Sequence, residues 1–394
     1  MNKDPKIEVY TKDWCPYCKR AKAFLKSKKL SYVEYNIDKE DKWDEMVERT
    51  GNKTVPQIII DGRVIGGYDD IIEMEKNDEL STLLNTEKID HSKSKWELIV
   101  LGAGPAGLNA ALYAARKGID LLLLSKDVGG QVIDTGEIDN YLGKEEIQGS
   151  DLIFDFWDHL LKYDISTVIG EEVVNIEKNK DENIIRTDNN KEYITDAVII
   201  ASGTQKRKLG MKQEYVLAGK GVHYCASCDG FLYAGKSVAV VGGGNSGLEA
   251  ALDLADLDCE VYLIEIQDHL MGDEYLQQKV KERDEINIHT SSMVDKIKGE
   301  DKLTSVAIKD KNDKSLELDI EGLFIEIGLE ANTDFVSNLL ELNEQKEIII
   351  DENNKTNVKG IWAAGDVSSI KDKQIITSAA EGAKAALRAN EYLK

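Results

Sequence analysis

A block of this chain occurs twice, and that repeat limits the fold more than anything else in it. Glu97-Leu98-Ile99-Val100-Leu101 leads into Gly102-Ala103-Gly104-Pro105-Ala106-Gly107, and Val238-Ala239-Val240-Val241 leads into Gly242-Gly243-Gly244-Asn245-Ser246-Gly247. Beyond each turn the match continues without a gap: Leu108, Ala110, Ala111, Leu112 and Ala115 stand where Leu248, Ala250, Ala251, Leu252 and Ala255 stand. One GxGxxG is weak evidence, but two in register, each between a strand-like and a helix-like stretch, are specific. The first glycine permits a tight turn, the second lets a pyrophosphate reach the backbone, and the third packs helix on strand. Free amides at the helix N-terminus then face the phosphates. The spacing therefore predicts an α/β chain with two Rossmann-type nucleotide folds.

The strands that follow the two turns end differently. The repeat sets Ser125 opposite Glu265. A carboxylate there accepts from a ribose 2′-hydroxyl and repels a 2′-phosphate. Glu265-Ile266-Gln267-Asp268 offers no Arg or Lys to hold that phosphate. The second site is thus expected to take NADH, with NADPH disfavoured. The first lacks that acid.

Four of the five cysteines form two CxxC pairs, Cys15-Pro16-Tyr17-Cys18 and Cys225-Ala226-Ser227-Cys228-Asp229-Gly230. Such pairs are redox-active or are halves of zinc sites. Zinc would need both pairs in one cluster, or histidines beside one. Each pair has its own distinct context, which favours redox chemistry and no metal. Cys259 opens an apolar run and reads as an inert buried thiol.

Residues 1–84 read as βαβαββα, a thioredoxin-like order: strands at 7–10, 32–37, 57–60 and 63–65, helices at about 16–29, 40–50 and 69–84. Cys15 would stand at a helix N-terminus, where unpaired amides stabilise a thiolate, with Cys18 one turn inward to resolve a mixed disulfide. Val55-Pro56 lies where this fold places a cis-proline. The motifs Tyr10-Thr11-Lys12, Cys15-Pro16-Tyr17-Cys18, Thr54-Val55-Pro56 and Gly66-Gly67-Tyr68-Asp69-Asp70 make the segment resemble glutaredoxin. The resemblance implies glutathione contacts at Lys12, Tyr17, Val55, Pro56, Gly67, Asp69 and Asp70, in a groove that is either used or a relic.

Residues 96–394 resemble the low-molecular-weight thioredoxin reductases, and most closely the flavoprotein subunit of alkyl hydroperoxide reductase. The carrying motifs are GAGPAG at 102–107, Gly129-Gly130-Gln131, Asn140-Tyr141, Ala201-Ser202-Gly203-Thr204, CASCDG at 225–230, GGGNSG at 242–247 and AAGD at 363–366. The resemblance implies a homodimer and a split FAD domain with the NAD(H) domain inserted. It places FAD contacts at Gly102, Gly104, Ala106, Gly107, Gly130, Gln131, Asn140, Gly203, Thr204, Gly365, Asp366, Gln374 and Ile375. NADH contacts would fall at Gly242, Gly244, Asn245, Ser246, Gly247 and Glu265. Two departures stand out. A single glutaredoxin-like segment replaces the tandem thioredoxin-like module of that flavoprotein, and Ala331 stands where the family usually has proline.

The resulting expectation is an FAD-dependent reductase with domains at 1–84, 96–208 plus 329–394, and 209–328, and a flexible polar linker at 85–95. Hinges are expected near Lys208–Gly210 and Ile327–Leu329. Reducing equivalents would pass from NADH through FAD to Cys225/Cys228, then to Cys15/Cys18. The final acceptor would be a peroxiredoxin, a thioredoxin, a glutaredoxin or glutathione. Cys228 would face the flavin, Cys225 would attack the next disulfide, and Asp229 would move the proton, with His223 either assisting or structural. The alternatives are a reductase for a separate thioredoxin with the first domain acting independently, or a glutathione-binding scaffold on an inert flavoprotein.

Composition narrows the partners. The net charge of −23 disfavours nucleic acid. The acidity lies almost wholly beyond residue 86, so Lys19, Arg20, Lys22, Lys26, Lys28 and Lys29 could face an acidic body, although acidity also serves solubility. No run of about 18 apolar residues predicts a membrane span. The opening MNKDPKIEVY lacks the apolar core of a secretory signal, so a cytoplasmic protein is expected.

Overall fold

The computed structural model describes the chain apart from residues 1–4, 14, 40, 85–91, 93, 94, 136 and 139; at Pro16, Asp134, Glu137, Ser227 and Cys228 it describes the backbone alone. The chain forms two compact units, Met1–Thr204 with Ala331–Lys394, and Gln205–Glu330. The expected hinge segments lie just inside the second unit. The connecting strands Thr204–Lys206 and Leu329–Ala331 pair as a two-stranded ribbon.

The N-terminal part of the first unit runs β1 (Ile7–Thr11), α1 (Pro16–Ser27), β2 (Val33–Asn36), α2 (Trp43–Thr50), β3 (Gln57–Ile60), β4 (Arg63–Gly66), α3 (Tyr68–Lys76) and α4 (Glu79–Leu84). The sheet order is β2-β1-β3-β4, with β1 parallel to β2 and antiparallel to β3. The helix expected over 69–84 is broken at Asn77-Asp78, where Asp78 takes φ +63°. A non-glycine residue in that left-handed region ends a helix turn.

The first nucleotide fold begins with β5 (Lys95–Ala103), α5 (Pro105–Arg116) and β6 (Leu121–Val128). Lys95 therefore opens a strand and does not belong to the linker; the rest of the linker reading, Ser92 excepted, falls outside the described residues. Strand side chains alternate between faces, and here both faces are covered. Leu98, Val100, Leu121 and Leu123 enter one core, while Ile99, Leu101, Leu122 and Leu124 enter the other. The small residues of α5 let the helix Ile375–Tyr392 approach closely: a Cβ on Gly382 would lie 2.0 Å from the Ala106 carbonyl oxygen. Residues far apart in the chain thus close one site.

The apolar face of α1 (Ala21, Phe24, Leu25) belongs to the same contiguous core as Leu98 and Val100. Ion pairs surround this contact: Arg20–Asp127 at 3.5 Å, Lys26–Asp158 at 2.9 Å, Lys29–Asp164 at 3.6 Å and Lys76–Asp188 at 2.6 Å. Three of the six basic residues singled out from the sequence therefore face body carboxylates. Lys22 and Lys28 pair within their own domain, with Glu34 and Glu75. Exposed pairs of this kind contribute about 0–1 kcal/mol each, so the buried apolar face is the larger contribution to docking.

The second unit is a five-stranded parallel sheet. Its order is Val222–His223, Gly322–Ile325, Ser237–Val241, Glu260–Ile264 and Ile286–His289. A three-stranded antiparallel meander, Ser292–Gly299, Leu303–Asp310 and Ser315–Asp319, completes it. No helix among the described residues is long and apolar enough to cross a membrane.

Candidate active site

The outer dithiol sits at the start of α1. Cys15 is the N-cap, its Sγ accepts from the Cys18 N–H at 3.1 Å, and it is joined to Cys18 in a disulfide. That amide is one of the orphan donors that stabilise negative charge on a sulfur. Both cysteines are buried, while Tyr17 beside them is half exposed. The Val55-Pro56 bond is cis, and the Val55 carbonyl lies 3.6 Å from the Cys15 Sγ. Of the residues assigned to glutathione, Lys12 pairs with Asp38 at 3.1 Å, and Asp70 accepts from the Gly67 N–H at 2.6 Å; Asp69 is exposed on the same turn.

The first nucleotide turn needs its glycines for reasons visible in the backbone. Gly102 has φ +100°, and a Cβ there would lie 2.3 Å from the Ala201 carbonyl oxygen. A Cβ on Gly107 would lie 1.8 Å from the Gly102 oxygen, while Gly104 faces open space apart from the Gly129 oxygen at 4.0 Å. That opening beside the α5 N-terminus is where a pyrophosphate fits. Other assigned residues gather around it. Gln131 donates to Thr204 at 2.5 Å, Asn140 donates to Gln374 at 3.3 Å, and Asp366 accepts from Ser378 at 2.9 Å. Gly365 packs against Ala106, Gly130 against Gly104, and Ile375 opens the helix after Gln374. Gly203 takes φ +64° next to Thr204. The residues present therefore fit an FAD.

The second turn repeats this geometry. Gly242 has φ +119° with the Glu326 oxygen 2.2 Å from a built Cβ, a Cβ on Gly247 would lie 1.8 Å from the Gly242 oxygen, and Gly244 faces open space. Asn245 Oδ1 accepts from the Asp273 N–H at 2.7 Å, and Ser246 lies exposed in the first helical turn. Glu265, 6% exposed, accepts from the Gly243 N–H at 2.6 Å and from the Gln267 N–H at 2.7 Å. In the first fold, Ser125 Oγ accepts from the Ala103 N–H at 3.1 Å in the equivalent place. The two residues that differ in sequence thus share one job: both brace the second residue of their turn. A carboxylate accepts at about four sites, so these two bonds do not use up the lone pairs of Glu265.

Cys225 is in a disulfide and precedes the short helix Ala226–Asp229; the Cys228 side chain is outside the described set. His223 Nδ1 lies 2.7 Å from Asp229 Oδ2, and its Nε2 lies 2.7 Å from the Tyr233 hydroxyl. Glu326, 8% exposed, receives Lys206 Nζ at 3.0 Å and the Ala226 N–H. Burial pushes its carboxyl above the usual range, against the opposing pull of Lys206. Glu214 is fully buried and accepts from the Leu209, Gly210 and Met211 N–H groups and from the Tyr224 hydroxyl. This carboxylate ties the connecting segment to the residue before Cys225. Cys259 is buried, donates to the Tyr233 carbonyl at 3.0 Å, and has its thiol pushed up by burial.

Sequence reading missed Glu214, Tyr233, Ser378 and Glu326. Each acts through a hydrogen bond formed by the fold, and only Glu326 carried a signal: a charged residue inside the apolar run Leu323–Ile327.

Comparison with known proteins agrees with this geometry. The family described as pyridine nucleotide-disulphide oxidoreductase matches residues 96–386, and glutaredoxin matches residues 7–65. A relative in Staphylococcus epidermidis, one of the alkyl hydroperoxide reductase subunits, is 38% identical over 342 residues, 86% of this chain and 67% of that protein. Among solved structures, the thioredoxin reductase of Lactococcus lactis is 36% identical with a TM-score of 0.70, covering 76% of this chain and 99% of that one. The thioredoxin reductase of T. acidophilum is also 36% identical, with a TM-score of 0.68, covering 75% of this chain and 98% of that one. Members of this family use FAD and a pyridine nucleotide. The chain therefore belongs to the pyridine nucleotide-disulphide oxidoreductases, as a thioredoxin reductase-like flavoprotein disulfide reductase that carries an N-terminal glutaredoxin domain.

Proposed function

We propose that this chain is an NADH-dependent reductase in which the inner pair, Cys225 and Cys228, reduces the outer pair, Cys15 and Cys18, and the outer pair reduces an external acceptor. The observation that carries this reading is the joining of two disulfides in one chain, Cys15–Cys18 at a helix N-terminus of the glutaredoxin domain and Cys225 in the nucleotide unit. When bound, the cofactors supply the electron pair that opens the inner disulfide. The residues supply the rest. Asp229 gives its proton to the sulfur that leaves. Cys225, as thiolate, attacks Cys15 of the outer disulfide and Cys18 leaves; Cys228 then attacks Cys225 in the mixed disulfide, which re-forms the inner disulfide and releases Cys15 as a thiolate stabilised beside the Cys18 amide. Fusion in one chain makes the encounter of acceptor and donor intramolecular and so raises their effective concentration. The gene-product class of the Staphylococcus relatives, alkyl hydroperoxide reductase subunits, makes a thiol peroxidase the acceptor of choice. Glutathione disulfide is the second candidate, through Lys12, Tyr17 and the Gly67–Asp70 turn.

The test is NADH oxidation with a peroxiredoxin plus peroxide, with oxidised glutathione, and with thioredoxin. Cys15→Ser should abolish turnover with the first two by at least about 10³-fold and spare a small artificial disulfide that the inner pair reduces directly. Full retention with the peroxiredoxin would show the glutaredoxin domain to be a bystander.

NADH preference rests on Glu265 and on a turn whose following residues contain no Arg or Lys as far as Asp268. Glu265→Ala removes a charged acceptor worth about 1.5–3 kcal/mol. The KM for NADH should rise about 10- to 100-fold and the discrimination against NADPH should shrink. A variant with unchanged KM ratios would remove the ribose role and leave only the brace on Gly243.

A further inference from the structure

His223 lies on the short edge strand Val222–His223, in register with Phe324 of the neighbouring strand. Its ring is 5% exposed, stacks on Phe324 at 5.4 Å and 26°, and meets Tyr233 edge-on at 5.3 Å. Packing thus leaves the ring little freedom. Both nitrogens are occupied, Nδ1 by Asp229 Oδ2 and Nε2 by the Tyr233 hydroxyl, each at 2.7 Å. Neither is left to reach a sulfur, so His223 cannot itself be the acid or base of the disulfide.

The hydrogen-bond pattern has one solution when His223 is neutral and Asp229 Oδ2 carries no proton, as in a carboxyl protonated on Oδ1 or in the carboxylate left after it gives that proton away. Oδ2 then only accepts, so Nδ1 must carry the proton; Nε2 is then an acceptor, and the Tyr233 hydroxyl must donate to it. Asp229 is the residue that sets the tautomer, and Tyr233, whose hydroxyl can donate or accept, follows it. The Nδ1–H bond holds Oδ2 and so fixes the rotation of the carboxylate, leaving Oδ1 as the oxygen that carries a transferable proton.

Resting on the disulfide-reductase reading above, the geometry points to His223 as a positioning residue: held by Tyr233 and Phe324, it pins Oδ2 of Asp229 and so leaves Oδ1 as the one oxygen free to serve the inner dithiol. The step it serves is balanced. Two electrons from the reduced cofactor break the S–S bond; one sulfur remains as thiolate, and the other leaves with the proton of Asp229. A carboxyl group misplaced by about 1 Å can lose roughly 100-fold in rate.

The test compares two substitutions that lose the same ring from Phe324. In His223→Asn the side-chain nitrogen falls where Nδ1 lay and can still donate to Asp229. In His223→Gln the nitrogen falls near Nε2 and cannot. NADH-driven disulfide turnover should stay within about 5-fold of the parent in His223→Asn and fall about 100-fold in His223→Gln, while the first bleaching of the flavin by NADH is unchanged in both. Histidine ¹⁵N resonances, with His223→Asn identifying the signal by its loss, should show the Nδ1–H tautomer in the parent and still in Tyr233→Phe, because Asp229 holds it. Equal rates in the Asn and Gln variants, or an Nε2–H tautomer in the parent, would overturn the assignment. If a Cys225→Ser control turned over as fast as the parent, the disulfide-reductase reading would fail and take the assignment with it. Failure of the histidine arms alone, with that control inactive, removes only the assignment.

Discussion

Replacing Cys225 by serine is expected to give a yellow protein that NADH bleaches and that then reduces no disulfide. Serine keeps the size and the position before the helix Ala226–Asp229, so the nucleotide unit should fold as before. It removes the one property that matters, because a hydroxyl neither forms an S–S bond nor exchanges with one. Turnover with any protein disulfide should fall by at least about 10³-fold, more than about 4 kcal/mol of barrier. Rapid-mixing absorbance at the flavin band would report the bleaching, and steady-state NADH oxidation the loss. A slow reaction with oxygen, yielding hydrogen peroxide, should remain as a side reaction. Disulfide turnover within 10-fold of the parent would mean that the electrons bypass the inner pair.

The second large effect comes from the paired glycines. A methyl group on Gly107 would stand 1.8 Å from the Gly102 carbonyl oxygen, and one on Gly247 would stand 1.8 Å from the Gly242 oxygen. Backbone lies on both sides of each clash, so no side-chain rotation relieves it. Forcing an extra carbon into such a contact typically destabilises by about 1–3 kcal/mol and displaces the turn. The same substitution should therefore have two different readouts. Gly107→Ala should purify with little or no flavin. Gly247→Ala should purify yellow, with a KM for the nicotinamide cofactor raised at least about 10-fold by the displaced amides. Absorbance of the purified proteins, thermal melts and initial rates against NADH separate the cases. Equal flavin content and equal KM in both would contradict the two-site architecture.

Much of this is legible in the sequence, because the constraints fall on residue type. Only glycine tolerates both the positive φ of Gly102 and Gly242 and the contacts of Gly107 and Gly247, so both nucleotide folds announce themselves. The glutaredoxin domain shows through Cys15-Pro16-Tyr17-Cys18 and Val55-Pro56 for a similar reason. What stays hidden is set by partners distant in the chain. Lys26 and Lys22 look alike in sequence, yet one meets Asp158 of the flavin-binding part and the other Glu34 of its own domain. Ser125 and Glu265 look like opposites at the ribose position, but each also braces its own turn. Glu214 is an ordinary helix-start glutamate until three backbone amides and a tyrosine converge on it.

The packing of Ile375–Tyr392 against α5 has a consequence for synthesis. Gly382 and Ala106 touch across most of the length of the polypeptide, whereas Gln205–Glu330 is one uninterrupted stretch. On a ribosome adding about 5–20 residues per second, that stretch can condense while the other unit still waits for its closing helix. Tight retention of FAD by a nascent polypeptide should therefore begin only after residue 382 has emerged, and truncation before that point should leave a nicotinamide-binding remnant without colour.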